Sequence, residues 1–140
     1  MTVPEGTVLV LLDTSALISP FQTGVDFVRG IREMVAAPIA FAVTDGTVRE
    51  LESISRKGSA TISMAARKAL AFTRGLRVLR TDAKRTDEGI VSSAEETGAA
   101  VATADSDLRA ELRRRRIPVF SVSRGKRIRI DGSFPAGTIV

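Results

Sequence analysis

The segment VLVLLDTS, residues 8–15, joins a five-residue apolar run to an aspartate and two small hydroxyl residues. A short run that is apolar on both faces of the pleat predicts a strand buried in a parallel sheet. Residues 39–43 repeat this pattern, and residues 99–102 and 119–122 repeat it more weakly. The protein is therefore predicted to be built around a sheet that contains these strands.

Helical spacing of apolar residues fills much of the chain between the predicted strands. The predicted helices cover residues 25–35, 47–54, 61–73, 88–97 and 108–115. The predicted order of elements is β-α-α-β-α-α-β-α-β-α-β. This order indicates an α/β fold with three layers, α/β/α, and a mostly parallel central sheet of about five strands.

The C-terminal part of the chain follows a different pattern. Residues 127–131 alternate charged and apolar side chains, which predicts a small edge strand. Residues 132–140 contain Pro135 and Gly137 and are predicted to be a loosely held tail. We therefore expect one domain over residues 1–131, followed by a C-terminal tail over residues 132–140.

The composition excludes several kinds of chemistry. The chain has 140 residues, of which 44% are hydrophobic and 26% charged, and it contains no Cys and no His. Disulfides, zinc fingers and Cys-His or Ser-His-Asp catalytic systems are therefore excluded. A run of about 18 apolar residues and a signal-peptide pattern are both missing, so we expect a cytoplasmic protein that does not enter a membrane.

Acidic residues follow predicted strands or lie near the starts of predicted helices. In open parallel sheets the carboxyl ends of the strands share one edge, so these acids are expected at one rim. For some of them, N-capping or simple exposure on a helix face is the alternative. The candidates are Asp13, Glu50, Asp87, Asp105 and Asp107.

Asp13 is the strongest single candidate. A carboxylate at the end of a buried strand is costly to desolvate unless a cation or several hydrogen-bond donors stabilise it. Clustered carboxylates also repel one another, so a persistent cluster implies a hard divalent cation with oxygen ligands. Mg²⁺ or Mn²⁺ satisfies this requirement, whereas the absence of His and Cys removes the usual zinc and copper sites.

The C-terminal quarter of the chain is basic. Residues 109–140 hold nine Lys or Arg against two Asp or Glu, which suits a polyanion such as nucleic acid. The alternative is a solvated helix face. The predicted nucleic-acid contacts are Arg109, Arg113, Arg114, Arg115, Arg116, Lys126 and Arg127.

Four short motifs carry the candidate acids in order along the chain: DTS (13–15), VREL (48–51), DEGIV (87–91) and TAD (103–105). Together they resemble the motif set of the PIN domain ribonuclease family, named after the N-terminus of PilT. The resemblance implies a PIN-like fold and a Mg²⁺- or Mn²⁺-dependent endoribonuclease. Asp13 and Asp105 would be the main metal ligands, Glu50 and Asp87 would be secondary ligands or would orient water, and Asp107 would be a fifth acid.

The resemblance also implies roles for neighbouring hydroxyls. Thr14 or Ser15, and Thr103, would hydrogen-bond a carboxylate or a metal-bound water. Residues 102–109 are similar to the Fcf1-like branch, which is associated with ribosomal RNA processing, but VapC-type toxins share the same four acids. The branch is therefore left open, as is a PIN-like module that binds RNA or protein without cutting.

The partners implied by the resemblance are RNA and either an antitoxin or a ribosome-assembly protein. A homodimer is also expected, because PIN-like proteins are often dimers and the predicted helices carry many apolar residues for one sheet face. The apolar residues predicted to contribute to the dimer interface include Phe27, Met34, Ile62, Met64 and Phe72.

Overall fold

The computed structural model describes residues 3–140. The strands are β1 (Val8–Leu12), β2 (Ile39–Thr44), β3 (Arg77–Leu79), β4 (Ala100–Ala102), β5 (Val119–Val122) and β6 (Ile128–Asp131). The helices are α1 (Thr14–Gln22), α2 (Phe27–Met34), α3 (Asp45–Lys57), α4 (Ala60–Thr73), α5 (Thr86–Thr97) and α6 (Ser106–Arg114).

The strands form one sheet in the order β3-β2-β1-β4-β5-β6. Strands β1 to β5 pair in parallel and β6 pairs antiparallel to β5. The predicted three-layer fold with a mostly parallel sheet is confirmed, and β6 is the predicted edge strand. The chain builds outward from β1 to β3 and then crosses back to β4 on the other side of β1. Open α/β sheets bind ligands at this reversal of strand order, outside the carboxyl ends of the strands.

Both faces of β1 are buried, because successive side chains of a strand point to opposite faces of the sheet. Val10 and Leu12 pack into a core shared with α1 to α4. Leu9 and Leu11 pack into a second core shared with α5 and α6. The central position of β1 therefore explains why its five residues are all apolar.

The ends of several elements differ from the predicted ones, because polar residues form first turns that apolar spacing does not detect. Helix α1 has a place in the predicted order but no range predicted from apolar spacing, and it begins directly after Asp13. Helix α3 begins at Asp45 rather than at residue 47, and Thr44 is its N-cap. Strand β3 has no apolar run, since Arg77 and Val78 are exposed at the sheet edge.

The C-terminal residues are not a loosely held tail. Ile139 bridges to Val35, and the Val140 N–H donates to the Met34 carbonyl at 2.8 Å. The Phe134 ring lies 5.7 Å from that of Phe120 in the core. The segment after β6 therefore returns to the helical layer, and the expectation of a loose tail was wrong because Pro135 and Gly137 shape a turn rather than a free end.

The apolar residues predicted for a dimer interface do not share one location. Phe27 is fully buried in the core and cannot cover an interface. Met64 and Phe72 are half exposed on α4, and Phe21 of α1 is exposed to a similar degree. The homodimer stays a prediction, with Phe21 in place of Phe27.

No helix within residues 3–140 is both long and apolar enough to cross a lipid bilayer.

Candidate active site

Asp13 lies where β1 ends and α1 begins. Its N–H donates to the Ala102 carbonyl at 3.2 Å, which extends the pairing of β1 with β4 by one residue. Its side chain is the N-cap of α1, since Oδ1 accepts from the Ala16 N–H at 2.8 Å. Only 5% of the residue is exposed. A carboxylate is therefore buried at the point where the strand order reverses.

Two hydroxyls hold the Asp13 carboxylate. Ser15 Oγ donates to Oδ1 at 2.7 Å, and Thr103 Oγ1 donates to Oδ2. The Ala104 N–H donates to Ser15 Oγ at 2.8 Å, and the Asp105 N–H donates to Thr103 Oγ1 at 2.9 Å. Each hydroxyl thus accepts from an N–H beyond β4 and donates to Asp13. This network connects the ends of β1 and β4 and orients the carboxylate.

The Thr14 hydroxyl takes no part in this network. Thr14 Oγ1 is buried and has no hydrogen-bond partner within residues 3–140. Successive helical residues point about 100° apart, so Thr14 and Ser15 at the start of α1 cannot both face the Asp13 carboxylate. Of the hydroxyls proposed from the sequence, Ser15 and Thr103 therefore contact the acid and Thr14 does not.

Burial raises the pKa of Asp13 to about 6, because the charged carboxylate has lost much of its hydration. Hydrogen bonds from Thr103, Ala16 and Ser15 lower this pKa in part, and the nearby Asp87 raises it. The protein thus maintains a carboxylate whose negative charge is poorly compensated at neutral pH. Such a group attracts a cation.

Asp87 interacts electrostatically with each of the other candidate acids. Neighbouring atoms partly desolvate its carboxylate at the rim and raise its pKa, and the charges of Asp105 and Glu50 raise it further. A smaller increase comes from Asp107. Since Asp87 also raises the pKa of Asp13, it lies within electrostatic reach of all the predicted acids.

The capping alternative has a different outcome for each acid. Asp105 is the N-cap of α6, and its Oδ1 accepts from the N–H groups of Asp107 (2.8 Å) and Leu108 (3.3 Å). Its Oδ2 makes no hydrogen bond within the described residues, so capping leaves an oxygen available. Asp87 is the second residue of α5 and makes no capping bond. Capping therefore does not account for Asp87.

The acids do not form a ready-made metal site. Within residues 3–140, no three acidic side chains lie close enough together to hold one ion. Asp13 is buried, whereas Glu50, Asp87, Asp105 and Asp107 are exposed above it. The set supplies only oxygen donors, two of them carboxylates with raised pKa values, which is the chemistry that hard divalent cations prefer. The donor types of these residues therefore fit Mg²⁺ or Mn²⁺. Their side chains lie apart, because like charges repel one another.

The basic residues predicted from the C-terminal segment divide into two groups. Arg116, Lys126 and Arg127 are exposed and form no ion pair within the described part of the chain. The other arginines already have acidic partners. Their ion pairs are Arg109–Asp131 (2.9 Å), Arg113–Asp131 (3.9 Å), Arg114–Glu111, Arg115–Glu111 (2.6 Å) and Arg115–Glu95 (3.3 Å).

Distance along α6 also separates the arginines at the end of this helix from Asp105. Helix α6 begins beside Asp105 and runs away from the rim. Arg113 lies eight residues further along the chain, which corresponds to about 12 Å at the helical rise of 1.5 Å per residue. The end of the basic helix is thus separated from Asp105 by most of the length of α6, although Arg115 lines a groove together with Asp87 and Asp107.

Other cationic residues, which the sequence pattern did not single out, lie beside the acids. Arg49, Lys84 and Arg85 line a cleft together with Glu50. Their place in the chain is a usable signal, because Arg49 directly precedes Glu50 and Lys84-Arg85 lies just before Asp87. Such single charges are less conspicuous in a sequence than the long basic run at the C-terminus.

The fold and the acids at the strand ends define a PIN-like protein. Residues 10–126 match the family described as "PIN like domain". The chain belongs to this family, and the resemblance drawn from the four motifs is confirmed.

Individual relatives support this assignment. The chain is 27% identical over 121 residues to Ribonuclease VapC9 of Archaeoglobus fulgidus, covering 86% of this chain and 87% of that protein. It is similar to the solved structure of the PIN domain endonuclease Utp24, with a TM-score of 0.68, 25% identity, and coverage of 90% of this chain and 96% of that one. A domain of a functionally unknown protein from Methanocaldococcus jannaschii shares the fold, with a TM-score of 0.60, 17% identity, and coverage of 83% and 91%.

Proposed function

We propose that this protein is a Mg²⁺- or Mn²⁺-dependent endoribonuclease that hydrolyses RNA phosphodiester bonds. The observation that carries the proposal is the buried Asp13 carboxylate at the strand-order reversal, with the carboxylate of Asp87 within electrostatic reach. The names of two relatives, a ribonuclease and an endonuclease, support the same chemistry.

Asp13 and Asp105 would be the main ligands of the divalent ion, Glu50 and Asp87 would be secondary ligands or would orient the attacking water, and Asp107 would be a fifth acid. When bound, such an ion supplies a Lewis acid that makes water a stronger nucleophile and offsets the negative charge that grows on the phosphate.

The protein's own groups supply orientation and proton transfer. Ser15 and Thr103 fix the direction of the Asp13 carboxylate, because each donates a hydrogen bond to one of its oxygens. If Asp87 does not hold the ion, it would orient the attacking water and accept its proton, and its raised pKa makes the carboxylate a better base. In this scheme water attacks phosphorus while the bond from phosphorus to the leaving ribose oxygen breaks, and that oxygen takes a proton from solvent, so no covalent enzyme intermediate is required.

Cleavage of a fluorescent single-stranded RNA tests this proposal. We expect cleavage with Mg²⁺ or Mn²⁺, none with a chelator in excess, and a rate at least about 100-fold lower for Asp13→Asn because a main ligand is lost. The matched control is Asp26→Asn, which makes the same change at the N-cap of α2 and should cleave at the wild-type rate. A protein that binds RNA and the metal but never cleaves would be a non-catalytic PIN-like module instead.

For the biological role we propose RNA processing, including that of ribosomal RNA, as the resemblance of residues 102–109 to the Fcf1-like branch implies. The second candidate is a toxin of a toxin–antitoxin pair, which the likeness to VapC9 favours. Expression of the protein and of its Asp13→Asn variant separates the two. Growth arrest that depends on Asp13, and that a neighbouring small gene relieves, would establish the toxin.

A further inference from the structure

We propose that the cleft between α3 and the loop joining β3 to α5 binds a backbone phosphate of the RNA substrate, next to the acids. This inference rests on the proposed function and assigns a positioning role to residues outside the acid set. The cleft, called here the loop cleft, has a volume of about 290 Å³. Its polar lining comes from Arg49, Glu50 and Ser53 of α3, from Thr81, Lys84 and Arg85 of the loop, and from Thr86 at the start of α5.

The charge of the loop cleft suits a phosphate. It contains three cationic side chains and one acidic one. Arg49 contacts Asp45 at 3.3 Å on the helix surface, with its side chain 61% exposed. Lys84 and Arg85 are exposed and form no ion pair within residues 3–140. Two cations at this position are therefore free of ion pairs, in contrast to Arg114 and Arg115 at the end of α6, and Arg85 lies beside Asp87 in the neighbouring groove.

The loop that carries these cations is held in place. Asp45 Oδ1 accepts from both the N–H and the hydroxyl of Thr81, each at 3.2 Å, which ties the loop to the start of α3. A Cβ on Gly89 would lie 2.8 Å from Thr81 Oγ1, so the loop packs directly on the backbone of α5. The cations are thus presented from a fixed loop, which reduces the entropy lost on binding.

The loop cleft also adjoins the acids. Glu50 lines the cleft itself. Arg85 lines the cleft as well, and it also lines the neighbouring groove together with Asp87. A phosphate held by Lys84 and Arg85 would therefore belong to a nucleotide near the scissile bond.

The other side of Asp87 is unfavourable for a phosphate. A groove between α5 and α6 is lined by five acids and by Arg85 and Arg115. These acids are Asp87, Glu88, Glu95, Asp107 and Glu111. A polyanion is repelled by this groove and attracted by the loop cleft, so the RNA strand should reach the acids from the loop-cleft side.

RNA affinity tests the proposal independently of cleavage. The parent protein is the full chain carrying Asp13→Asn, which is chosen so that the RNA is not hydrolysed during the measurement. The probe is a short fluorescent single-stranded RNA. The test variant adds Lys84→Gln and Arg85→Gln, and the matched control adds Arg114→Gln and Arg115→Gln, which removes the same charge. We expect the test variant to bind about tenfold more weakly and its salt slope to flatten by about 0.7 for each phosphate that is no longer neutralised. The control should stay within about twofold of its parent.

Equal losses in both variants, or a larger loss in the control, would overturn the proposal, because net charge or the C-terminal segment would then explain the binding. Lys84→Arg in place of the glutamine should restore affinity, which a merely misfolded variant would not show. With Asp13 intact, the test variant should raise KM more than it lowers kcat. A wild-type protein that binds RNA through Lys84 and Arg85 without cleaving it would refute the nuclease and leave the loop cleft standing.

Discussion

The Asp13 side chain is subject to two opposing requirements. Asp13 directly follows the central strand and is therefore buried, and burial raises its pKa from 3.8 to about 6. Ser15, Thr103 and the start of α1 offset part of this desolvation by donating hydrogen bonds. The residue therefore holds its charge at a cost in folding free energy, as expected of a group kept for function rather than for stability.

The stability of the metal-free protein should depend on pH through Asp13. Because the folded state has the higher pKa, it holds this proton more tightly than the unfolded chain between about pH 4 and pH 6. The favourable contribution is therefore present below pH 4 and is lost as the pH rises through 6, up to about 3 kcal/mol for this shift. Asp13→Asn should remove this loss and raise the free energy of unfolding at pH 7, measured by urea denaturation.

The comparison must be made as a difference between the two proteins. Asp131 has a lowered pKa because of its hydrogen bond with Arg109, so it makes stability rise with pH mainly below about pH 4, next to the range in which Asp13 acts. Subtracting the wild-type curve from that of Asp13→Asn cancels this contribution. A difference that is flat from pH 4 to 7 would contradict the assignment of Asp13 as a destabilised buried carboxylate.

At the scale of elements, the ion pair between Arg109 and Asp131 fastens α6 to the edge strand β6. Both side chains are about four-fifths buried, and Arg109 Nε donates to Asp131 Oδ2 at 2.9 Å. We expect Arg109→Gln and Asp131→Asn to show a coupling of about 1–2 kcal/mol in a double-mutant cycle of unfolding free energies. Arg109 thus has a structural partner, although the sequence predicts it as a nucleic-acid contact.

RNA affinity distinguishes the two roles of Arg109. The single Asp131→Asn change frees the guanidinium without removing it, so it serves as the control. A coupling near zero, together with loss of RNA affinity for Arg109→Gln alone, would establish the contact predicted from the sequence.

At the scale of the whole molecule, half-exposed apolar side chains on α1 and α4 predict self-association. Met64, Lys68 and Phe72 follow one another at helical spacing, and the Lys68 ammonium lies 5.7 Å from the Phe21 ring. Phe21 and Phe72 also line one apolar groove. We expect a homodimer by sedimentation equilibrium, and Phe72→Glu should weaken it at least about tenfold by placing a charge in the interface.

Val78→Glu is the matched control for this prediction. Val78 is 48% exposed, but it lies on the edge strand β3. If Val78→Glu dissociates the dimer and Phe72→Glu does not, the strand edge and not the helical surface is the interface. A wild-type monomer at high micromolar concentration would remove the prediction altogether.

The acids and the class of fold could be predicted from the sequence because both depend on local signals. Apolar runs of the length of residues 8–12 are buried wherever they lie, and an acid directly after such a run lies at the sheet edge. Strand β3 and helix α1 were harder to locate, since their identity comes from pairing with β2 and from the capping by Asp13 rather than from apolar spacing.

Tertiary structure decided which polar groups from distant parts of the chain meet. Whether an arginine is available for RNA depends on which acids lie opposite it. Asp131 and Glu95 reach Arg109 and Arg115 only through chain reversals of many residues. Lys84 reaches its position in the loop cleft in the same way. For the same reason the basic run at residues 113–116 was conspicuous in the sequence, while Lys84 and Arg85 beside the acids were not. By itself the sequence determined that acids follow the strands β1 and β4 at the carboxyl edge of a parallel sheet, because strand burial and strand direction are properties of short segments. The partners of each charge were decided by the fold, because charge pairing is a property of distance in space.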